Sequence, residues 1–152
     1  MSGLTVSNSD YTPVKVHLKT VITSGDEQDS IEFSAFGRYY EKADSIFLKY
    51  DEVQEEGTVH TIVKLSDENA LILRSGAVKM RLVFKEDEQS NGSYESQIGT
   101  LLLRTKTKKL SHKRKNPEKS GEIRLDYQLM MQGSTVGNYK MLITYKEEEE
   151  TS

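Results

Sequence analysis

The chain has 152 residues and a formal net charge of −3, with 30% charged and 35% hydrophobic residues. That is one domain with a single core, and a high charged share suits a sheet with one wet face. It has no cysteine, which excludes disulfide staples and thiolate metal sites, and its mild acidity argues against a general nucleic-acid binder.

Residues 1–13 are polar and aperiodic, with a proline at Pro13, and read as a mobile lead-in. No apolar run opens the chain, so no signal peptide is expected. No stretch approaches the ~18–20 apolar residues of a membrane-spanning helix, and a reducing cytoplasm is the expected location. The first strand is predicted at about 14–24, with Val14, Val16, Leu18, Thr20 and Ile22 on one face. Ser24–Asp29 reads as an acidic turn. Apolar residues then recur at every second position, the signature of half-buried strands. Ile31, Phe33, Ala35, Gly37 and Tyr39 share a face, followed by Ile46, Leu48 and Tyr50, and by Val59, Thr61, Val63 and Leu65. Leu71 and Leu73 come next, and then Val78, Met80, Leu82 and Phe84.

Turn lengths give a second handle on register. A two-residue Ser75-Gly76 turn would set Leu73 against Val78 and Leu71 against Met80. A three-residue Asp67-Glu68-Asn69 loop, with Asn69 left-handed, would set Leu65 against Leu71. Around Lys42–Ser45 the loop must be even, of two or four residues. Gly37 is a candidate bend, Asp51–Gly57 reads as an acidic loop, and Asn91-Gly92 as a turn signal within Glu86–Ser93.

A short strand near Tyr94 breaks at Ile98-Gly99, and a long one follows at about 100–109 with Leu101, Leu103, Thr105 and Thr107 on one face. Residues 110–120 read as a polar loop containing Pro117. In the last hairpin Ile123, Leu125, Tyr127, Leu129 and Met131 alternate, as do Tyr139, Met141, Ile143 and Tyr145. A Gly133-Ser134 turn would mismatch these faces, so one extra residue is needed, either in a three-residue loop or, preferably, as a bulge at Gly137. Residues 147–152 form an acidic tail. The expectation is all-β: a single antiparallel up-and-down β-barrel of about 8–10 strands over residues 14–146, because closure removes exposed edges.

The segments Gly37-x-Tyr39-Tyr40, Ile46-x-Leu48-x-Tyr50-x-Glu52, Thr61-Ile62-Val63-Lys64 and above all Arg74-Ser75-Gly76-Ala77-Val78-Lys79-Met80 resemble the YwiB-like family. These are small, uncharacterised bacterial proteins. The likeness spans roughly residues 14–146, and the Arg74–Met80 run is its most specific part. It implies a calycin-type, lipocalin-like barrel in a bacterial cytoplasm. It carries no activity across.

Three classes of function are weighed. No catalytic or metal-ligating constellation is legible: His17, His60 and His112 are scattered, no Gly-x-Ser-x-Gly elbow occurs, and no helix follows the glycines at 133–137. No catalytic residue, metal or cofactor is therefore expected, and an enzyme would need residues brought together only in three dimensions. A basic run of Arg104, Lys106, Lys108, Lys109, Lys113, Arg114, Lys115 and Lys119 could track a polyanion or dock protein. Residues 95–126 hold no aromatic outside His112 on which bases could stack, which weighs against nucleic acid. The third class is a lumen: Tyr39, Tyr50, Thr61, Met80, Thr105, Tyr127 and Tyr139 share the inward register. Apolar walls with a few convergent hydroxyls suit a small apolar or amphipathic ligand, against the plainer role of filling the barrel. The turn pairing places Arg74 and Lys79 outside, where Arg74 either caps a barrel mouth or pairs with Asp51 or Glu52. A non-enzymatic lumen binder is the leading expectation; whether it acts as monomer or homodimer is open.

Overall fold

The computed structural model describes residues 11–115 and 118–148. The readings made for residues 1–10, for Pro117 and for residues 149–152 lie outside them. Ten strands follow one another: β1 (Tyr11–Ser24), β2 (Glu27–Lys42), β3 (Ser45–Gln54), β4 (Gly57–Leu65), β5 (Asn69–Gly76), β6 (Lys79–Lys85), β7 (Gln89–Ser96), β8 (Gly99–Lys115), β9 (Ser120–Met131) and β10 (Ser134–Glu147). Each pairs antiparallel with its sequence neighbour and β1 pairs with β10, so the meander closes into a barrel. Tyr11–Pro13 belong to β1, so the barrel begins earlier than the expected residue 14.

The two-fold alternation explains the closure. Val14, Val16 and Leu18 on β1, Leu48 on β3, Val59 and Val63 on β4, Phe84 on β6, Leu103 on β8, Ile123 and Leu125 on β9, and Ile143 on β10 are all buried. Each fully buried side chain of this kind contributes roughly 1.5–3 kcal/mol, and only a closed wall lets every strand turn its apolar face inward. Thr20, Thr61, Thr105 and Thr107 are buried on the same register.

Several connections differ from the expected ones. Leu65 faces Ala70 and Val63 faces Ile72, so the loop is Ser66–Asn69, closed by the Ser66 N–H donating to the Asn69 carbonyl at 2.9 Å. Asn69 is not among the positive-φ residues. Arg74 faces Met80 and Leu73 faces Arg81, so Ser75–Lys79 replaces the two-residue turn. The inward residues of β5 are thus Ala70, Ile72 and Arg74, and Leu71 and Leu73 lie outside. Leu71-Ile72-Leu73 is apolar at both parities, so alternation alone does not choose its face. Gly76 continues to pair with Val59, and the Ala77 N–H donates to the Thr58 carbonyl at 3.1 Å; the chain follows β4 past the expected turn.

Asn91-Gly92 lies inside β7. A Cβ at Gly92 would overlap the Arg81 carbonyl oxygen, so this glycine serves a close strand approach, not a turn. Residues 110–115 continue β8 as strand, with Lys108 as the extra residue of a bulge between Thr107 and Lys109. The Leu110 N–H beyond it donates to Glu86 Oε2 at 3.3 Å. The extra residue of the last hairpin is the expected bulge, between Thr135 and Gly137. Its turn is Gln132–Gly133, with φ of 51° and 85°, the two-residue type that suits strand twist. Ala43–Asp44 forms a two-residue turn, one of the two lengths expected. The acidic segments at 24–29 and 51–57 are mostly strand, broken only by turns at Gly25–Asp26 and Glu55–Glu56.

One end of the barrel, here the mouth, gathers the β1–β2, β3–β4, β5–β6, β7–β8 and β9–β10 connections; the other is the floor. Toward the mouth β2 parts from β3. Their pairing stops at Gly37 and Tyr50, and residues 27–36 of β2 pair with β1 alone. A Cβ at Gly37 would come 2.7 Å from the Lys49 carbonyl oxygen, so glycine permits the tight approach where the wall begins to splay.

Candidate functional site: the mouth of the barrel

The splayed end leaves a cavity of about 370 Å³ in the lumen, within the range of small-molecule sites. Its walls are apolar: Leu18 from β1, Ile31 and Phe33 from β2, Ile72 from β5, Leu82 from β6, Leu129 from β9 and Met141 from β10. Tyr50, Thr61, Met80, Tyr127 and Tyr139, all expected in the lumen, line it. Tyr127 and Tyr139 stack with ring centroids 5.1 Å apart, and Phe84 meets the Tyr127 edge at 4.7 Å. Phe33 and Tyr50 rings lie 5.9 Å apart. Burial, reinforced by the neighbouring Glu52 charge, raises the Tyr50 phenol well above its usual range. Burial does the same for Tyr127, so both hydroxyls stay neutral, as donors and acceptors.

Into this apolar space project two charges. Arg74 Nη2 donates to Glu52 Oε2 at 3.2 Å, and Thr61 Oγ1 donates to the same oxygen at 3.1 Å. The two side chains are 23% and 17% exposed. Arg74 is thus inward, against the outward placement expected from the turn, and its partner is one of the two carboxylates anticipated. Glu52, in the segment that reads as an acidic loop, lies on β3. Its signal was available: it continues the Ile46, Leu48, Tyr50 alternation by one step. Likewise Arg74 continues Ala70 and Ile72. Lys79 is exposed outside, as expected.

Two other residues expected to line the ligand space do not. Thr105 is buried, and its hydroxyl donates to the Val83 carbonyl at 2.5 Å. Tyr39 faces inward, but at the floor. There its hydroxyl donates to Glu41 Oε1 at 2.7 Å and its ring stacks on Tyr145 at 5.4 Å. Arg114 Nη2 donates to Glu41 Oε1 at 2.5 Å and to Tyr39 Oη at 3.2 Å, and Lys119 Nζ reaches Glu41 at 3.4 Å. His112 Nε2 shares a 2.6 Å hydrogen bond with Tyr145 Oη. The Tyr39 hydrogen bond, then Lys119 and Arg114, holds Glu41 below the usual carboxylate range. Burial, then the Arg114 charge, lowers His112 to about 4, and burial lifts Tyr145 to about 12.

Arg114 therefore leaves the proposed basic patch and plugs the floor. Arg104, Lys106, Lys108, Lys113 and Lys115 stand exposed outside. A depression of about 470 Å³ lies over the floor beside Glu41, His112 and Arg114, and a groove of about 570 Å³ runs outside β2–β4 past Phe36, Arg38 and His60. Both are more open and more polar than the lumen cavity. His17 meets Glu32 at 2.7 Å and His60 meets Asp51 at 2.8 Å, each on the surface. Among the described residues no group of three or more His, Asp or Glu could hold a metal ion. No helix there is long and apolar enough to cross a membrane.

A family model described as a domain of unknown function, DUF1934, matches residues 16–143. The chain is similar to the "Uncharacterized beta-barrel protein YwiB" of Bacillus subtilis (strain 168), with 36% identity over 135 residues, 89% of this chain and 94% of that protein. It also matches the crystal structure of ywiB protein from Bacillus subtilis with a TM-score of 0.80 and 33% identity, covering 91% of this chain and 94% of that one.

Proposed function

We propose that this chain, which belongs to the DUF1934 family of unknown function, binds one small amphipathic ligand in the barrel lumen and does no chemistry on it. The observation that carries the reading is the Glu52–Arg74 pair beside an apolar cavity of about 370 Å³. Apolar walls give affinity in proportion to area removed from water, and the few polar groups fix orientation. Arg74 uses one Nη2 contact on Glu52, while a guanidinium carries five donors. Glu52 neutralises it locally, so the ligand's head group need not be anionic. The apolar part would lie deeper, against Leu18, Ile72 and Leu129. The lipocalin-like architecture and the bacterial cytoplasm remain part of this reading. So does the absence of catalysis, since the titratable groups at the mouth are an ion pair and phenols held neutral.

Native mass spectrometry tests it, using octanoate, octylamine and octanamide as probes of common chain length. The expected result is one octanoate or octanamide per chain, with affinity for both reduced at least tenfold in Arg74→Met, while octylamine, whose ammonium can pair with the freed Glu52 carboxylate, is not weakened. Equal retention of all three by wild type and variant counts against the reading.

A further inference from the structure

The outward side chains of β8, β9, β10 and β1 make a second, separate surface. The bulge at Lys108 organises it. Before the bulge the even residues of β8 point out, Arg104 and Lys106 among them; after it the odd ones do, Lys109, Lys113 and Lys115. Both halves of the ladder thereby face the same way. Arg124 on β9, Lys140 on β10 and Lys19 on β1 extend it across the sheet, all exposed. The acids on this face are Glu122 and Asp126 on β9, opposite Lys113 and Lys109. Among the described residues its ion pairs within 4 Å are Arg124 with Glu122 at 3.9 Å and, at its border, His17 with Glu32.

None of its lysines is held by a carboxylate in this way, and Lys15 stands directly opposite Lys146. Like charges facing each other across strands are destabilising. A chain of net charge −3 has thus gathered an excess of cations on one side. Sequence charge hides this, because most of the acids lie elsewhere.

The geometry points to a docking face for the phosphate backbone of double-stranded nucleic acid. Lysine ammonium groups are compact point charges suited to phosphate. From Arg104 to Lys115 the ladder runs eleven steps along β8, roughly 35 Å at strand rise, close to one turn of a duplex. From Lys15 to Thr23 on β1, and along the outer positions of β8, β9 and β10, the only aromatic ring is that of His17. Such a face has no platform for unstacked bases, so it favours a duplex read through its phosphates over a single strand. The site shares no residue with the lumen.

Fluorescence anisotropy of the full chain with a 20-bp RNA or DNA duplex and a 20-nucleotide oligouridine, from 50 to 200 mM KCl, tests this. The expected result is duplex binding that weakens steeply with salt. Lys106→Glu, Lys109→Glu and Lys113→Glu combined lose at least tenfold, and the log–log salt slope falls by about 3 units, close to one per phosphate contact removed. Reversal of Lys42, Lys79 and Lys85, exposed on the other side, leaves binding unchanged. Circular dichroism confirms that both variants fold. No duplex binding at 50 mM salt, equal loss in both variants, tighter binding of the single strand, or displacement by polyglutamate as effective as by duplex would each overturn the proposal.

Discussion

At the floor of the barrel Glu41 collects Tyr39, Arg114 and Lys119 on one oxygen; at the mouth Glu52 meets Thr61 and Arg74. The residue types nearly match, but the surroundings do not. The floor pair is 40% and 43% exposed and rests on stacked Tyr39 and Tyr145. The mouth pair is half as exposed and borders an apolar cavity inside the barrel, whereas the floor pair lies under an open, polar depression. Polar groups packed on stacked rings at an open polar surface act as a plug. The same groups beside an enclosed apolar void are available to a guest.

The largest expected effect breaks the plug. Tyr145→Ala removes a buried ring, its stack on Tyr39 and its bond to His112, and should cost about 3–5 kcal/mol in urea unfolding. Tyr139→Ala at the half-buried mouth should cost only about 1–2 kcal/mol. Equal losses would erase the contrast between the ends.

Next comes the mouth pair. Arg74→Met leaves Glu52, the less exposed partner, without its counter-charge in a largely enclosed site and should cost about 1–2 kcal/mol, whereas Glu52→Gln keeps an amide oxygen to accept from Arg74 and Thr61 and should stay within about 1 kcal/mol of wild type. Thermal melts of the two variants check this asymmetry.

The floor also predicts a pH dependence. His112 is lowered to about 4 in the fold, so between that value and its unfolded pKa of about 6.5 the unfolded chain binds the extra proton. Stability is fully present above about 6.5 and falls as pH drops toward 4. With His112 partly exposed the loss should be about 1–2 kcal/mol. Urea midpoints of wild type and His112→Gln at pH 7 and pH 4.5 should converge at the lower pH. The Glu41 contribution, from a carboxylate held low, is lost only at still more acid pH. Smallest of all, Glu41→Gln near neutral pH should cost under about 1 kcal/mol, because its partners are solvated.

The barrel was legible in the sequence wherever alternation was unambiguous. Val59-Thr61-Val63-Leu65 and Ile123-Leu125-Tyr127-Leu129 offer one apolar parity, and both face inward. Leu71-Ile72-Leu73 offers two, and there the Ser75-Gly76 turn signal points to a register that puts Arg74 outside, whereas Arg74 pairs with Met80 and faces inward. Gly92 looked like a turn because sequence cannot distinguish a glycine that bends the chain from one that lets another strand approach. Glu52 was missed because acidic residues near Glu55-Glu56 read as loop, although its parity was inward. Thr105 and Tyr39 were placed correctly on the inner face; their distance from the cavity depends on where β2 leaves β3, a property of the closed wall rather than of any one strand.

Methyl NMR of the full chain with octanamide compares the two ends in one experiment. The account predicts that Leu18, Ile72, Leu129 and Met141 lining the cavity shift on saturation, while Ile46 and Leu65 at the floor do not. Unmoved mouth methyls at probe concentrations that saturate the surface, or equal shifts at both ends, would contradict it.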